Sequence, residues 1–343
     1  MGLHSFAMSM GAVVAGLLTV RIVDRVRRRG AVRLGLLLVG AGILLLVVGG
    51  SPLVTLPAIL VAGTGGSIML NAANPSLADH HGPTGATAIT EGNALGSGVG
   101  IVAPLVVGSA VALGLTWRPA ALVVLPLALV TLWRISRVPA GTPALDAPRA
   151  PHPGGVRAPL GRRFWLLTGA LVVGVGIEFA NTAWAADLLR LQTGMSAAAA
   201  SGAVTAIVVG MTATRLVLGR LALRMSSRGL LLGSLVVVLL GWAVTWTTTS
   251  PVVALAGLVV TGCGIAGQYP LGVSLVYDAV GPQGDRATGI VSLGVGVLAA
   301  VVPFVLGALA DATSTHTAFL VVPGLAVTVA ALLLTAGRRP APA

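Results

Sequence analysis

Two acids stand in segments of this chain that are otherwise apolar. Glu178 lies in the run GVGIEFANTAWAADLL, with Asn181 and Thr182 three and four residues later and Gly174 one turn before. On a helix these residues share one polar face. A carboxyl group in such surroundings suits the loading and unloading of a proton, and the same pattern also fits a glutamate bonded to a neighbouring helix. Glu91 opens a second set with Asn93. A third set comprises Asn71 and Asn74, Gln268 and Tyr269, with Trp184 six residues beyond Glu178. Amides and aromatic rings orient polar solutes, and they also join helices by hydrogen bonds. The fourth set is ionic: Asp24-Arg25 runs into Arg28 and Arg29, and Arg220 and Arg224 stand at an analogous turn. An acid at one helix end can sit at the N-terminus of another, where free N–H groups favour negative charge.

The elements that hold these residues are membrane helices. The chain is 56% hydrophobic and 9% charged, with a mean hydropathy of +0.98. A water-soluble domain has too large a surface for so few polar residues to solvate. Runs long enough to span about 30 Å of hydrocarbon occur at 4–23, 32–50, 52–78, 83–113 and 117–136. Six more follow at 164–187, 196–219, 229–249, 251–279, 283–311 and 316–337. The spacing therefore predicts an all-α polytopic protein of about eleven transmembrane helices, five and then six. Residues 137–163, rich in Pro, Gly, Ala and Arg, read as a flexible linker between the halves 1–136 and 164–337, and 338–343 read as a tail. On this reading Glu178 lies roughly 21 Å from the start of its helix, well inside the bilayer.

The net charge of +12 comes from 21 basic residues, all arginine. They gather at alternate helix ends: six at 21–33, six at 134–163, four at 215–228, then Arg286, Arg338 and Arg339. Only Arg118 and Arg190 fall on the opposite side. This is the positive-inside pattern, so the arginine-rich ends, the linker and the C-terminus face the cytoplasm, and the N-terminus faces outward. No basic surface is left for nucleic acid. Arg215, a turn inside its helix end, is expected to extend its guanidinium toward the interface. The lone Cys263 and scattered histidines offer no metal spacing, and no cofactor or catalytic nucleophile is indicated.

The chain also repeats itself. Gly11, Arg21, Arg25, Arg29 and Gly30 return as Gly210, Arg220, Arg224, Arg228 and Gly229, an offset of 210 − 11 = 199 residues. Gly63, Gly65, Pro104 and Gly108 return as Gly262, Gly264, Pro303 and Gly307. Such internal duplication is a feature of secondary transporters. Glu178 lies in a helix with no counterpart in the first copy, which suggests that the first of twelve helices is missing from this chain.

The run Val20-Arg21-Ile22-Val23-Asp24-Arg25-Val26-Arg27-Arg28-Arg29 resembles the Gly-x-x-x-Asp-Arg-x-Gly-x-Arg-Arg signature of major facilitator superfamily transporters. Val20 and Arg27 stand where that signature has glycine, and the second copy keeps Gly219 but has Leu223 in place of the acid. The resemblance implies a two-half helical bundle that moves a small solute across the cytoplasmic membrane by alternating access, as a monomer. It also implies that Asp24 approaches the turn at Gly284–Thr288 as part of a cytoplasmic gate. The Val-Gly-Ile-Glu run with Trp184 resembles the seventh helix of fucose-permease-like proton:sugar symporters, which implies proton coupling through Glu178, with Glu91 as a second candidate. Proton-driven efflux of a drug or metabolite is the alternative reading, and a truncated protein that does not transport is another.

Overall fold

The computed structural model describes residues 2–146, 159–200 and 202–337, and all their regular structure is helical. The central part of the expected linker, 147–158, and the expected tail, 338–343, lie outside the described residues. Before the linker come α1 (Gly2–Val48), α2 (Pro52–His81), α3 (Gly85–Ala112), α4 (Trp117–Ala121), α5 (Val124–Arg137) and the short α6 (Pro143–Asp146). After it come α7 (Arg162–Thr193), α8 (Ala197–Ala200), α9 (Gly202–Ala222), α10 (Ser227–Thr247) and α11 (Pro251–Ile265). The chain closes with α12 (Gln268–Val280), α13 (Gly284–Ala312), α14 (Thr315–Ala318) and α15 (Val321–Thr335).

Nine stretches among the described residues are long and apolar enough to cross a membrane, and two of these are double. Phe6–Val48, at 43 residues, would extend about 65 Å as one straight helix, twice the hydrocarbon thickness. It breaks at Arg27, whose φ of 61° and ψ of 174° are not helical. Its two arms flank α2. Gly11 of the first arm backs onto Gly63 and Thr64, while Gly35 of the second lies against Gly65 and Met69. Pro52–Gly96 likewise joins α2 to the start of α3 through the 3-10 turn Gly82–Thr84, where Gly82 takes φ 51°. The protein is thus a polytopic helical membrane protein, with about eleven crossings among the described residues, five before the linker and six after it.

The chain divides into two compact units, which do not follow the sequence halves. The first comprises Met1–Gly85, Val99–Ala158 and Gly281–Ala300. Its core is Ala15, Val23, Ala31, Val32, Leu36, Ile68, Ala72 and Ala128. The first part of α13 packs here, with Gly16 backing onto Gly289 and Leu293, and Ser292 donating to the Ala12 carbonyl at 3.1 Å. The second unit comprises Ala86–Gly98, Pro159–Val280 and Val301–Ala343. There Gly210 and Gly262 let the backbones of α9 and α11 come together, as their counterparts Gly11 and Gly63 do for α1 and α2. The glycines of the repeat mark the same helix contacts in both copies.

The linker begins with more order than its composition predicts. Pro143–Asp146 form a helical turn, and Arg28 and Arg29 hold it by side-chain bonds.

Candidate functional site

The Glu178 region is built around a break in a helix. Pro270 has no N–H to donate to the carbonyl of Ala266 four residues earlier, and its ring clashes with that carbonyl. The helix accordingly parts between α11 and α12, at Ala266 and Gly267. The Ala266 carbonyl is satisfied from α9 instead, where Arg215 donates its Nε at 3.1 Å. Arg215 is only 8% exposed, so the expectation that it reaches out to the interface is corrected: a buried carbonyl holds it inward. Its charge acts on Glu178 across the α7–α9 contact, and the Glu178 charge acts on it.

Around this pair the polar side chains mostly serve the protein. Asn181 is buried and donates to its own helix at Ile177 (2.8 Å), and Thr182 donates to the Glu178 carbonyl (2.8 Å). Gln268 is buried and donates to Ser234 at 3.0 Å. The Gln268 Oε1 fills the space above Gly174: a Cβ there would come within 2.7 Å of it. Glycine at 174 is what admits the amide against α7. Tyr269 is half-buried at the start of α12. Trp184 packs its indole edge over Gly307. It also lines a cleft of about 340 Å³ with Asp187, Arg190, Leu191, Met195 and Thr315.

The other candidates fall into separate groups. Asn71 is buried in the first unit and donates to Thr19 at 3.1 Å, and the Thr19 hydroxyl in turn donates a hydrogen bond to the Ala15 carbonyl. Asn74 is buried one turn further along α2. Asn93 donates to its own helix at Ile89, 2.9 Å. Glu91 is exposed and lies over Gly219 on α9, with its Cγ about 3.5 Å from where a Cβ on that glycine would sit. Thr87 tightens this contact by donating to the Gly219 carbonyl at 3.2 Å. Glu91 therefore stands beside the second copy of the arginine motif, about one turn along α9 from Arg215.

At the first copy the structure forms an ion network. Arg28 donates Nε to Asp285 at 2.8 Å and Nη1 to Asp79 at 2.5 Å, with a further bond to the Ala144 carbonyl at 3.2 Å. Asp285 is 4% exposed in the first turn of α13, where unpaired N–H groups favour its charge. Arg29 binds both oxygens of Asp146, at 2.7 and 2.6 Å, and takes the carbonyls of Ile135, Val138 and Pro139. The Arg29 bonds, aided by the Gly141 and Thr142 N–H groups, hold the Asp146 carboxyl below the usual carboxylate range. Asp24, Arg25, Arg220 and Arg224 are exposed. Sequence reasoning missed Asp79, Asp146 and Asp285. One signal was present: Asp79 returns as Asp278 at the repeat offset.

A sequence profile described as Major Facilitator Superfamily matches residues 166–343. No curated protein matches the chain. The crystal structure of the transporter FucP in the outward conformation superposes with a TM-score of 0.82 at 16% identity, covering 98% of this chain and 90% of that one. The Escherichia coli fucose:proton symporter FucP gives 0.78 at 16% identity, over 98% and 91%. The human organic anion transporter TETRAN gives 0.75 at 17% identity, over 97% and 83%. At these identities the likeness is one of fold. Profile and fold agree with the arginine motif and the duplicated helices: the chain belongs to the major facilitator superfamily.

Proposed function

We propose that this protein is a proton-coupled secondary transporter of a small polar solute in the cytoplasmic membrane. Residues 1–136 and 164–337 act as its two halves, with the arginine-rich ends on the cytoplasmic side. The observation that carries the reading is Glu178 on α7 under the charge of Arg215. That arginine is fixed by a carbonyl that a proline has released. Arg215 cannot move away without leaving the Ala266 oxygen unpaired, so the natural variable in the pair is the proton on Glu178. Gaining that proton changes the pair from net neutral to net positive, an electrostatic signal within a low-dielectric region.

The Arg28–Asp79–Asp285 network supports a second part of the reading. It ties α1 and α2 to the first turn of α13, and we take it as the latch of the cytoplasmic side. Asp24 and Arg25 lie on the same turn, with Arg220 and Arg224 at its repeat. Asn71, Asn74, Asn93, Asn181, Thr182, Trp184, Gln268 and Tyr269 remain candidates for contacting solute. Those whose donors are already used within the protein are weaker ones than Trp184, which lines the cleft beside Asp187 and Arg190.

The test is reconstitution into proteoliposomes with an imposed pH gradient and a panel of labelled sugars, amino acids and organic anions. Accumulation of one class that collapses with the gradient is expected. A protein that moves neither protons nor any member of the panel would not be a carrier.

A further inference from the structure

The end of α5 carries a second recognition surface, unrelated to Glu178. Val130 and Trp133 follow Leu127 at three-residue steps, and Arg134 and Arg137 lie four residues after Val130 and Trp133, so the five form a single stripe. Leu127, Val130 and Trp133 are 54%, 55% and 53% exposed, an apolar track facing away from the protein. The stripe ends in two exposed guanidiniums. Arg134 and Arg137 both lie over the Trp133 ring, at 5.9 and 5.1 Å from its centroid. Neither forms an ion pair among the described residues.

Arginines in the last turn of a helix commonly turn back onto its free carbonyls. Here that role is taken from outside: the Arg29 guanidinium already binds Ile135, Val138 and Pro139. Among the described residues, Arg134 and Arg137 are left with a tryptophan face and no ion-pair partner. An aromatic ring at the membrane interface, with cations on the headgroup side and an apolar track on the other, matches an amphipathic anion.

We propose that this stripe is a binding site for an anionic phospholipid. The phosphate sits between Arg134 and Arg137, the glycerol region against Trp133, and an acyl chain along Val130 and Leu127. Free phosphate would use the two arginines alone, and it would have no use for the apolar track.

The test uses the intact protein in phosphatidylcholine vesicles doped with dibrominated phosphatidylglycerol or dibrominated phosphatidylcholine. Bromine quenches tryptophan at short range, and the quenching that Trp133→Phe lacks reports this site alone. Each arginine near an anionic headgroup contributes roughly fivefold, so two give about 30-fold preference for phosphatidylglycerol. Arg134→Gln/Arg137→Gln, both at exposed positions, should reduce that preference to the phosphatidylcholine level, while excess inorganic phosphate leaves it unchanged. Equal quenching by the two lipids in the unaltered protein would overturn the proposal. So would a preference that survives the double substitution, or one that inorganic phosphate abolishes.

Discussion

At the scale of single residues, two positions carry unusual energy. Arg27 is the only described non-glycine residue with positive φ, and it stands where the family signature has glycine. Its φ and ψ of 61° and 174° lie in a region that essentially only glycine occupies comfortably. Arg27→Gly should therefore stabilise the protein by about 1–2 kcal/mol, the relieved strain less the extra backbone entropy of glycine. Thermal unfolding in detergent would read this as a higher midpoint, and an unchanged or lower one would contradict it. Arg215 presents the opposite case. Arg215→Gln strands both Glu178 and the Ala266 carbonyl, at a cost of about 3 kcal/mol or more. The double substitution Glu178→Gln/Arg215→Gln should lose clearly less than the sum of the single ones, because the stranded charge is gone. Additive losses in that cycle would mean the pair does not interact. Glu178 was legible in the sequence because a charge in an apolar run has few explanations. Arg215 was not, because the contact between α9 and the α11–α12 break is tertiary. Pro270 was the available clue, since a proline inside an apolar helix always releases one carbonyl.

At the scale of elements, the first turn of α13 and the short α6 depend on α1. Loss of Arg28 removes bonds to Asp285, Asp79 and Ala144 together. Arg28→Gln should raise amide hydrogen exchange at Gly284–Thr288 by about tenfold or more, corresponding to roughly 1.4 kcal/mol of lost local stability. Unchanged protection there would remove the case for a latch. The α6 turn depends on Asp146 being ionised. Its carboxyl is held below the usual range in the folded protein, so the bond to Arg29 contributes above the unfolded value and is lost as pH falls through the lowered one. Asp146→Asn should accordingly expose the linker to protease at neutral pH, while the variant and the unaltered protein should converge only in strong acid. Equal cleavage at neutral pH would show that the turn is held otherwise. The eleven crossings were legible from apolar length and from Gly-Pro punctuation. The α6 turn was not, because four residues of loop composition gain their order from two arginines more than a hundred residues away.

At the scale of the whole molecule, the duplication explains why the arginines and glycines recur where they do. Gly35 meets Gly65 in the first copy, and Ser234 meets Gly264 at the same offset in the second. The copies then diverge at the points that carry charge. Arg28 and Asp285 correspond to Ser227 and Ala86, while Asp79 returns as Asp278, so the residue types of the Arg28–Asp285 pair are not repeated in the other copy. Glu178 lies on a helix of the second half alone. A duplicated frame with unduplicated charges is what a transporter needs if one side is to be latched and one site is to take the proton. The proton on Glu178 would couple transport to the pH gradient, and pH-driven solute accumulation in proteoliposomes of Glu178→Gln measures that coupling. The variant is expected to fold and insert but to lose gradient-driven accumulation. Accumulation equal to that of the unaltered protein would contradict that coupling.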